Sequence, residues 1–389
     1  MKITLWISLF LIFYTFLGYG ILLYILIKIK RFFKGKPEVV ADLNLLPTCT
    51  LIVAAYNEEQ FIEEKIANTL ALNYPQDRLK LIFITDGSSD QTPGLIGKYP
   101  EIKLMHKPDR LGKIVAVHRA MQEVQTEVVV FTDANTFLNK DALINICRHY
   151  SDPKTGAVAG EKRVMIEEKD GATAGEGFYW KYESKLKAWD SELYSVVGAA
   201  GELFSVKTSL YQPVPKNSVL DDFMISMLIA EKGFKIVYEP EAYATEKSSE
   251  NVSEELKRKI RIAAGGIQSI IWLKKLLNPF NQPMLSFQYI SHRVLRWTIT
   301  PFLMILCFLL NILIVVNEGG LIYQLLLVCQ TGFYLSALLG LVLENRKIRV
   351  KILFIPYYFS VMNYAVVAGI FRYFNGGQSV LWEKAKRSA

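Results

Sequence analysis

Carboxylates recur in this 389-residue chain directly behind short runs of β-branched and apolar residues. Thr50–Ala54 leads into Ala55-Tyr56-Asn57-Glu58-Glu59, Leu81–Thr85 into Asp86-Gly87-Ser88-Ser89-Asp90, and Val128–Thr132 into Asp133-Ala134-Asn135. Each of these residues alone is an ordinary cap or turn former. Three acidic strand ends in one region point further, to a divalent cation beside a phosphate-bearing ligand. Mg²⁺ and Mn²⁺ take hard oxygen ligands, bridge to phosphates and keep several waters. Asp133 offers a carboxylate for this. Asn135 offers only a neutral amide oxygen, so such a site holds metal more weakly than one with two aspartates. Lys113, behind Gly112 at a helix start, presents an ammonium and free N–H groups to a diphosphate; the alternative for it is a solvated surface lysine. Asp221 and Asp222 precede an amphipathic run, where they either complement the helix dipole or supply a general base.

These groups need a frame. Thr50–Ala54, Leu81–Thr85, Ile102–Met105 and Val128–Thr132 read as strands, separated by helical spacing at Phe61, Ile62, Ile66 and Leu70 and by a helix over Ile114–Gln125. Strand and helix in turn predict an α/β fold with a parallel sheet. In such sheets ligands sit beyond the carboxyl ends of the strands, where the acids are. Further on, Leu256, Ile260, Ala263, Ile267 and Ile271 form an apolar helical stripe opposite Lys257, Arg258, Lys259 and Arg261. That amphipathic pattern suits a membrane interface. Arg258 and Arg261 serve there either to attach anionic lipid or to contact phosphate over the site.

Composition supports a membrane share. The chain is 51% hydrophobic and 21% charged, with a mean hydropathy of +0.21. Soluble domains carry more charge, and disordered chains are far less apolar. Ile3–Ile27 carries no charge, which is long enough to cross a hydrocarbon core of about 30 Å. Lys28, Lys30, Arg31, Lys34 and Lys36 follow and suit the cytoplasmic side. Three more spans fit, at about Trp297–Val316, Gly319–Leu343 and Ile352–Phe371. Counting all four as crossings puts the tail outside, against its Lys384, Lys386 and Arg387. Either the last segment is re-entrant, around Pro356 and Asn363, or the positive-inside rule fails there. The expected division is an anchor and basic flank at 1–36, a cytoplasmic domain at 37–250, amphipathic helices at 251–296, membrane segments at 297–371 and a basic tail at 372–389. The expected location is the inner (cytoplasmic) membrane. Cys49, Cys147, Cys307 and Cys329 are too dispersed for a metal cluster or a disulfide framework. His106, His118, His149 and His292 form no ligand-like set and read as surface or interfacial. The net charge of +8 clusters at membrane borders, which argues against nucleic acid binding.

The ordered set A-A-Y-N-E-E, D-G-S-S-D, G-K, T-D-A-N, L-D-D and R-x-x-R, over about Pro47 to Trp272, resembles the inverting family-2 glycosyltransferases with a GT-A fold. Glu176-Gly177-Phe178-Tyr179-Trp180 and Ser291-His292-Arg293 are similar to stretches in membrane-bound bacterial members. The resemblance implies a Rossmann-like nucleotide-sugar-binding domain, with an N-terminal anchor helix and about three C-terminal membrane segments. It further implies nucleotide contacts from Ala55, Tyr56, Glu58, Asp86, Ser88, Lys113 and Asp133, with Asp86 accepting from the uracil N3–H. Asp133, with Asn135, would hold Mg²⁺ or Mn²⁺. Asp222 would be the base with Asp221 beside it, and Arg258 and Arg261 would meet acceptor or phosphate. The chain departs from the family at four places: Asn135 replaces an aspartate, Leu220-Asp221 replaces Thr-Glu, Arg258 stands where processive synthases have glutamine, and Ile262 stands where they have tryptophan. Glu202 lies near the acceptor side with no assigned role.

The expected activity is transfer of a sugar from a nucleotide-sugar, a UDP-sugar by preference, to a lipid-linked or saccharide hydroxyl at the membrane. Two rivals are a processive polysaccharide synthase, which Ile262 disfavours, and a non-catalytic nucleotide-sugar-binding partner, which has no use for a base.

Overall fold

The computed structural model describes residues 1–35, 45–165, 173–247, 252–346, 348 and 350–376. Among these, eight strands form one sheet: β1 (Cys49–Ala55), β2 (Leu79–Asp86), β3 (Lys103–Lys107), β4 (Val128–Asp133), β5 (Thr136–Leu138), β6 (Thr155–Met165), β7 (Leu203–Lys207) and β8 (Lys235–Lys247). Their order is β3-β2-β1-β4-β7-β6-β8-β5. The expected parallel part is there: β1 runs parallel to β2 and β4, and β2 to β3. Beyond β4 the sheet changes character, because β7 runs antiparallel to both β4 and β6, and β5 to β8. The sheet is therefore mixed. The helix expected over Ile114–Gln125 is Lys113–Met121.

Side chains alternate across a strand, so β1 and β4 feed two cores. Ile52, Val129 and Phe131 face Ile114, Val117, Phe223 and Ile225. Leu51, Val53 and Val130 face Ile62, Ile66, Leu143 and Ile146 on the other side. Burial on both faces is why these strands are continuous apolar runs. The helix Asp221–Glu231, which begins with the two candidate acids, belongs to the first core through Phe223, Met224 and Met227.

Among the described residues, four helices are long and apolar enough to cross a membrane: Lys2–Lys34, Thr300–Asn317, Leu321–Asn345 and Ile352–Phe374. The first contains a π-helical turn at Tyr14–Gly18. Ahead of that turn, Leu5 packs on Cys307 and Ile314, and Lys2 pairs with Glu318 at 2.6 Å. Behind it the helix docks on Thr173–Leu193: Arg31 makes two 2.7 Å bonds to Glu192, and Lys30 donates to the carbonyls of Glu192 and Leu193.

The last helix, Lys351–Phe374, packs on other helices at both ends. Thr300–Asn317 starts on the sheet side, where Thr300 meets Thr15, and ends at Glu318 beside Lys2. Leu321–Asn345 returns, since the hydroxyl of Tyr334 already bonds the carbonyl of Met304. Gly340, farther along that return, lies against Leu353 and Tyr357 of the last helix. At the other end, Gly369 is pressed against Ile260, Ala263 and Ala264 of the helix Val252–Trp272. The last helix is continuous through Pro356, and it packs on Leu321–Asn345 near its start and on Val252–Trp272 near its end. Lys384, Lys386 and Arg387 lie outside the described residues.

Labelling with a membrane-impermeant maleimide tests the re-entrant alternative, in a background with the exposed Cys329 replaced by serine. Asn375→Cys is expected to react from the same face as Ser151→Cys in the catalytic domain, and from the face opposite Val316→Cys. Reaction of Asn375→Cys together with Val316→Cys would mean that the last helix crosses.

Candidate active site

Register brings the strand-end residues together. Asp133 lies opposite Ala54, and Thr85, just before Asp86, lies opposite Ala55. The loops beyond are stitched to each other. Asn57 adopts φ of 53°, a left-handed conformation that asparagine tolerates. From there its N–H donates to Ser88 Oγ at 3.1 Å, and its Oδ1 accepts from the Ser89 N–H at 2.8 Å. The Glu58 N–H donates to Thr92 Oγ1 at 2.8 Å. Asp86 is buried, and its Oδ2 accepts from the N–H groups of Leu111 and Gly112 at 3.0 and 2.6 Å. Part of the carboxylate expected to read a base therefore fixes the loop leading to Lys113. Gly87 has φ of 70°, and a Cβ there would stand 2.6 Å from Arg110 Cβ. The Arg110 guanidinium lies 4.0 Å from the centre of the Tyr56 ring, a cation–π contact that no spacing in the sequence announces.

Lys113 opens its helix behind Gly112, whose φ is 99°. Its ammonium lies 2.5 Å from Asp133 Oδ1. Gly201 borders the same spot: a Cβ built there would be 3.2 Å from Asp222 Oδ2 and 3.4 Å from Lys113 Nζ. Asp133, Lys113 and Asp222 thus adjoin across a backbone with no side chain. Burial, and then the charge of neighbouring Asp221, push the Asp222 carboxyl up to about 7. Burial works against the Lys113 charge, but Asp133, Asp221 and Asp222 outweigh it and hold its pKa above the usual lysine value. A carboxyl poised near neutrality and exposed through a gap suits proton abstraction.

The helix Val252–Trp272 backs the acidic turn. Gln268 accepts from the Val219 N–H and donates to the Asn217 carbonyl, both at 2.9 Å. Arg261 Nη2 donates to the Val219 carbonyl at 3.4 Å. A Cβ on Gly265 would be 2.8 Å from Leu220 and 2.9 Å from Val219. The basic residues of this helix turn inward more than an interfacial stripe would. Arg258 lies 3.9 Å from Glu202 Oε1, and Lys259 3.3 Å from Glu255. Glu202 also takes Lys162 at 2.5 Å, and Lys162 in turn pairs with Glu246. Glu202, with no assigned role in the sequence, thereby joins a buried ion network with Lys162, Glu246 and Arg258.

Lys65 is a further residue that the sequence reading passes over. It is fully buried, donates to the Thr136 carbonyl at 2.6 Å, and burial lowers its pKa to about 7. Its signal was positional, because it shares the inward face of Ile62 and Ile66. Two histidines correct the surface reading. His149 is buried on Glu239 at 2.7 Å, and His292 is fully buried between two carboxylates. The side chains of Glu176 to Trp180 lie outside the described ones.

Among the described residues no group of three or more His, Cys, Asp or Glu is placed to hold a metal alone. Asp133, the last residue of β4, and Asn135, two residues on in the turn, provide oxygen donors of the right hardness. That fits a Mg²⁺ or Mn²⁺ ion whose other ligands are diphosphate and water.

Residues 50–212 match the family described as glycosyl transferase family 2. Poly-beta-1,6-N-acetyl-D-glucosamine synthase of Staphylococcus aureus is 26% identical over 255 residues, covering 63% of this chain and 60% of the synthase. Beta-monoglucosyldiacylglycerol synthase of Synechocystis sp. is 28% identical over 186 residues, 44% of this chain and 38% of that one. The match thus spans less than two thirds of either relative. In fold, the chain is similar to the mannosyltransferase PcManGT of Pyrobaculum calidifontis, solved with GDP-Man and Mn2+. That likeness has a TM-score of 0.71 at 24% identity and covers 95% of this chain and 99% of the other.

Gly265→Ala tests the backing of the acidic turn. Overpacking of this kind costs about 1–3 kcal/mol, and a displaced Val219–Leu220 carries Asp222 with it. The expected result is a lowered melting temperature and a lowered kcat together. An unchanged kcat would show that the turn is held by other contacts.

Proposed function

We propose that this chain, a glycosyltransferase of family 2 with the GT-A fold, moves a sugar from a nucleoside diphosphate to an acceptor hydroxyl at the membrane in a single displacement. The observation that carries this is the adjacency of Asp222, raised to about 7, to the Lys113–Asp133 pair across Gly201. Asp222 takes the proton of the acceptor hydroxyl as its oxygen attacks the anomeric carbon. Asp221 raises the basicity of Asp222 by like-charge repulsion. Lys113 moves from Asp133 toward the diphosphate, where its charge and the N–H groups of its helix start stabilise the leaving group. A divalent cation, held by Asp133 with Asn135, supplies further charge neutralisation there when bound. Ala55, Tyr56, Glu58, Asp86 and Ser88 border the nucleoside side. Arg258 and Arg261 border the acceptor side.

The acceptor is lipid-linked or a membrane-held saccharide, and the work is glycan or polysaccharide synthesis. Arg372, at the end of the last apolar helix, is close enough to Arg261 to help lower its pKa, after burial as the main cause. That places positive charge from a membrane segment beside the site, as an anionic lipid carrier requires. The sheet and its helices, 37–250, lie in the cytoplasm at the inner membrane, with 251–296 at the interface. The donor is a UDP-sugar. A polymerising enzyme is the second reading, favoured by the name of the Staphylococcus aureus relative; product length separates the two.

The test is nucleoside diphosphate release by the full chain in nanodiscs with Mn²⁺, from UDP-N-acetylglucosamine, UDP-glucose and GDP-mannose. Wild type is expected to turn over one UDP-sugar, and Asp222→Asn to lose about 10²–10⁴-fold, the usual worth of a positioned base. Equal rates would remove Asp222 from that role. The pH profile is a second check. Asp222 must be deprotonated, so kcat/KM is expected to rise as pH climbs through about 7. Asp221→Asn removes the repulsion and should move that rise to lower pH. A rise at the same pH in both would contradict the coupling.

A further inference from the structure

Ser291-His292-Arg293 takes no direct part in the transfer above, yet it sits in a buried charge cluster with Asp190 and Glu183. His292 is fully buried. Its Nδ1 faces Asp190 at 2.5 Å and its Nε2 faces Glu183 at 3.1 Å. Glu183 also takes Arg293 and Arg296, each at 2.9 Å, and Asp190 takes the Tyr19 hydroxyl from the N-terminal membrane helix. Two π-helical turns meet here. Tyr14–Gly18 and Ile290–Val294 join through Tyr14 and Ser291 at 2.8 Å. Turns of this rare kind collect at functional sites.

The cluster reaches the segment opposite the base from two directions. Gln288, which donates to Asp190 at 3.1 Å, accepts from the Ser195 N–H at 3.3 Å. Arg293 Nε donates to the Val197 carbonyl at 3.5 Å, and its guanidinium lies 5.6 Å from the Trp297 ring. Trp297 in turn packs on Phe223, the residue after Asp222, at 5.5 Å. Gly198, at φ of 82°, seats the segment on that same ring, since a Cβ there would be 2.1 Å from Phe223. Three residues later Gly201 closes on Asp222 and Lys113. Apolar side chains would join these helices with less desolvation cost; a charge network adds fixed direction.

We propose that Arg293, oriented by Glu183 and with His292 bridging Glu183 to Asp190, is a positioning residue that sets the Val197–Gly201 segment against Asp222, and that Tyr19 ties this setting to the seat of the N-terminal membrane helix. The inference rests on Asp222 as the base.

The test uses the full chain in nanodiscs with whichever of UDP-N-acetylglucosamine, UDP-glucose and GDP-mannose the wild type turns over, and UDP or GDP alone as the binding probe. A displacement of about 1 Å at a reacting group can cost about 10²-fold. Arg293→Ala is expected to lose kcat on that order, keep the affinity for the nucleoside diphosphate, and recover part of kcat with added guanidinium. Tyr19→Phe, which keeps the ring and loses only the hydroxyl, should lower kcat in the same direction. Wild-type kcat in Arg293→Ala would overturn the proposal. So would a joint loss of kcat and nucleotide affinity without guanidinium recovery, which is what a merely structural role produces. Asp222→Asn alongside keeps the two readings apart. Full turnover in that variant removes the base itself, whereas its silence beside an active Arg293→Ala removes only the positioning role.

Discussion

Negative charge gathered at one edge of a buried sheet is the constraint on which the rest depends. After burial, Glu202 and Glu246 push the Asp133 carboxyl up, and Asp221 and Glu202 push up that of Asp222. Carboxylates so close cannot all remain ionised without partners. The chain answers with Lys113 on Asp133, Lys162 between Glu202 and Glu246, and Arg258 close to Glu202. Asp222 has no such direct ion pair among these contacts, and burial, then the charge of Asp221, keeps its proton near neutral pH despite the opposing charge of Lys113. The ion pairs are therefore part of what makes one acid different from its neighbours.

Holding that arrangement requires the membrane half of the protein. The acidic turn Val219–Asp222 is backed by the helix Val252–Trp272, with Gly265 allowing close approach and Gln268 satisfying two backbone groups. That helix is itself clasped on further sides. Gly266 lies against Trp297, and Gly369 of the last apolar helix lies against Ile260, Ala263 and Ala264. Membrane-side and catalytic elements thus share one packing unit, which is a physical route by which lipid surroundings would alter catalysis.

Much of the site was legible because strand-end acids, a glycine before a lysine and paired aspartates before a helix are local patterns. The first four strands and the apolar spans were legible for the same reason: continuous apolar runs and long uncharged stretches leave a local trace. What failed was non-local. Strands β5 to β8 are short or carry charge, and the pairing of β6 with β8 that brings Lys162 to Glu246 depends on a register with a bulge at Gly160 and Glu161. Lys65, His149 and His292 are buried polar residues whose types alone suggest a surface. Only the position of Lys65 on an apolar helical face hinted otherwise. The basic helix around Arg258 left two readings open, since charges that satisfy buried carboxylates and charges that meet lipid headgroups look alike in sequence.

The central claim is a single displacement driven by Asp222, and the anomeric configuration of the product tests it most directly. With an α-linked donor, the proton spectrum of the freshly formed glycoside is expected to show the β-anomer. A product with α-configuration would require two displacements or a front-face path, and would contradict an arrangement in which one carboxylate acts as a base across Gly201.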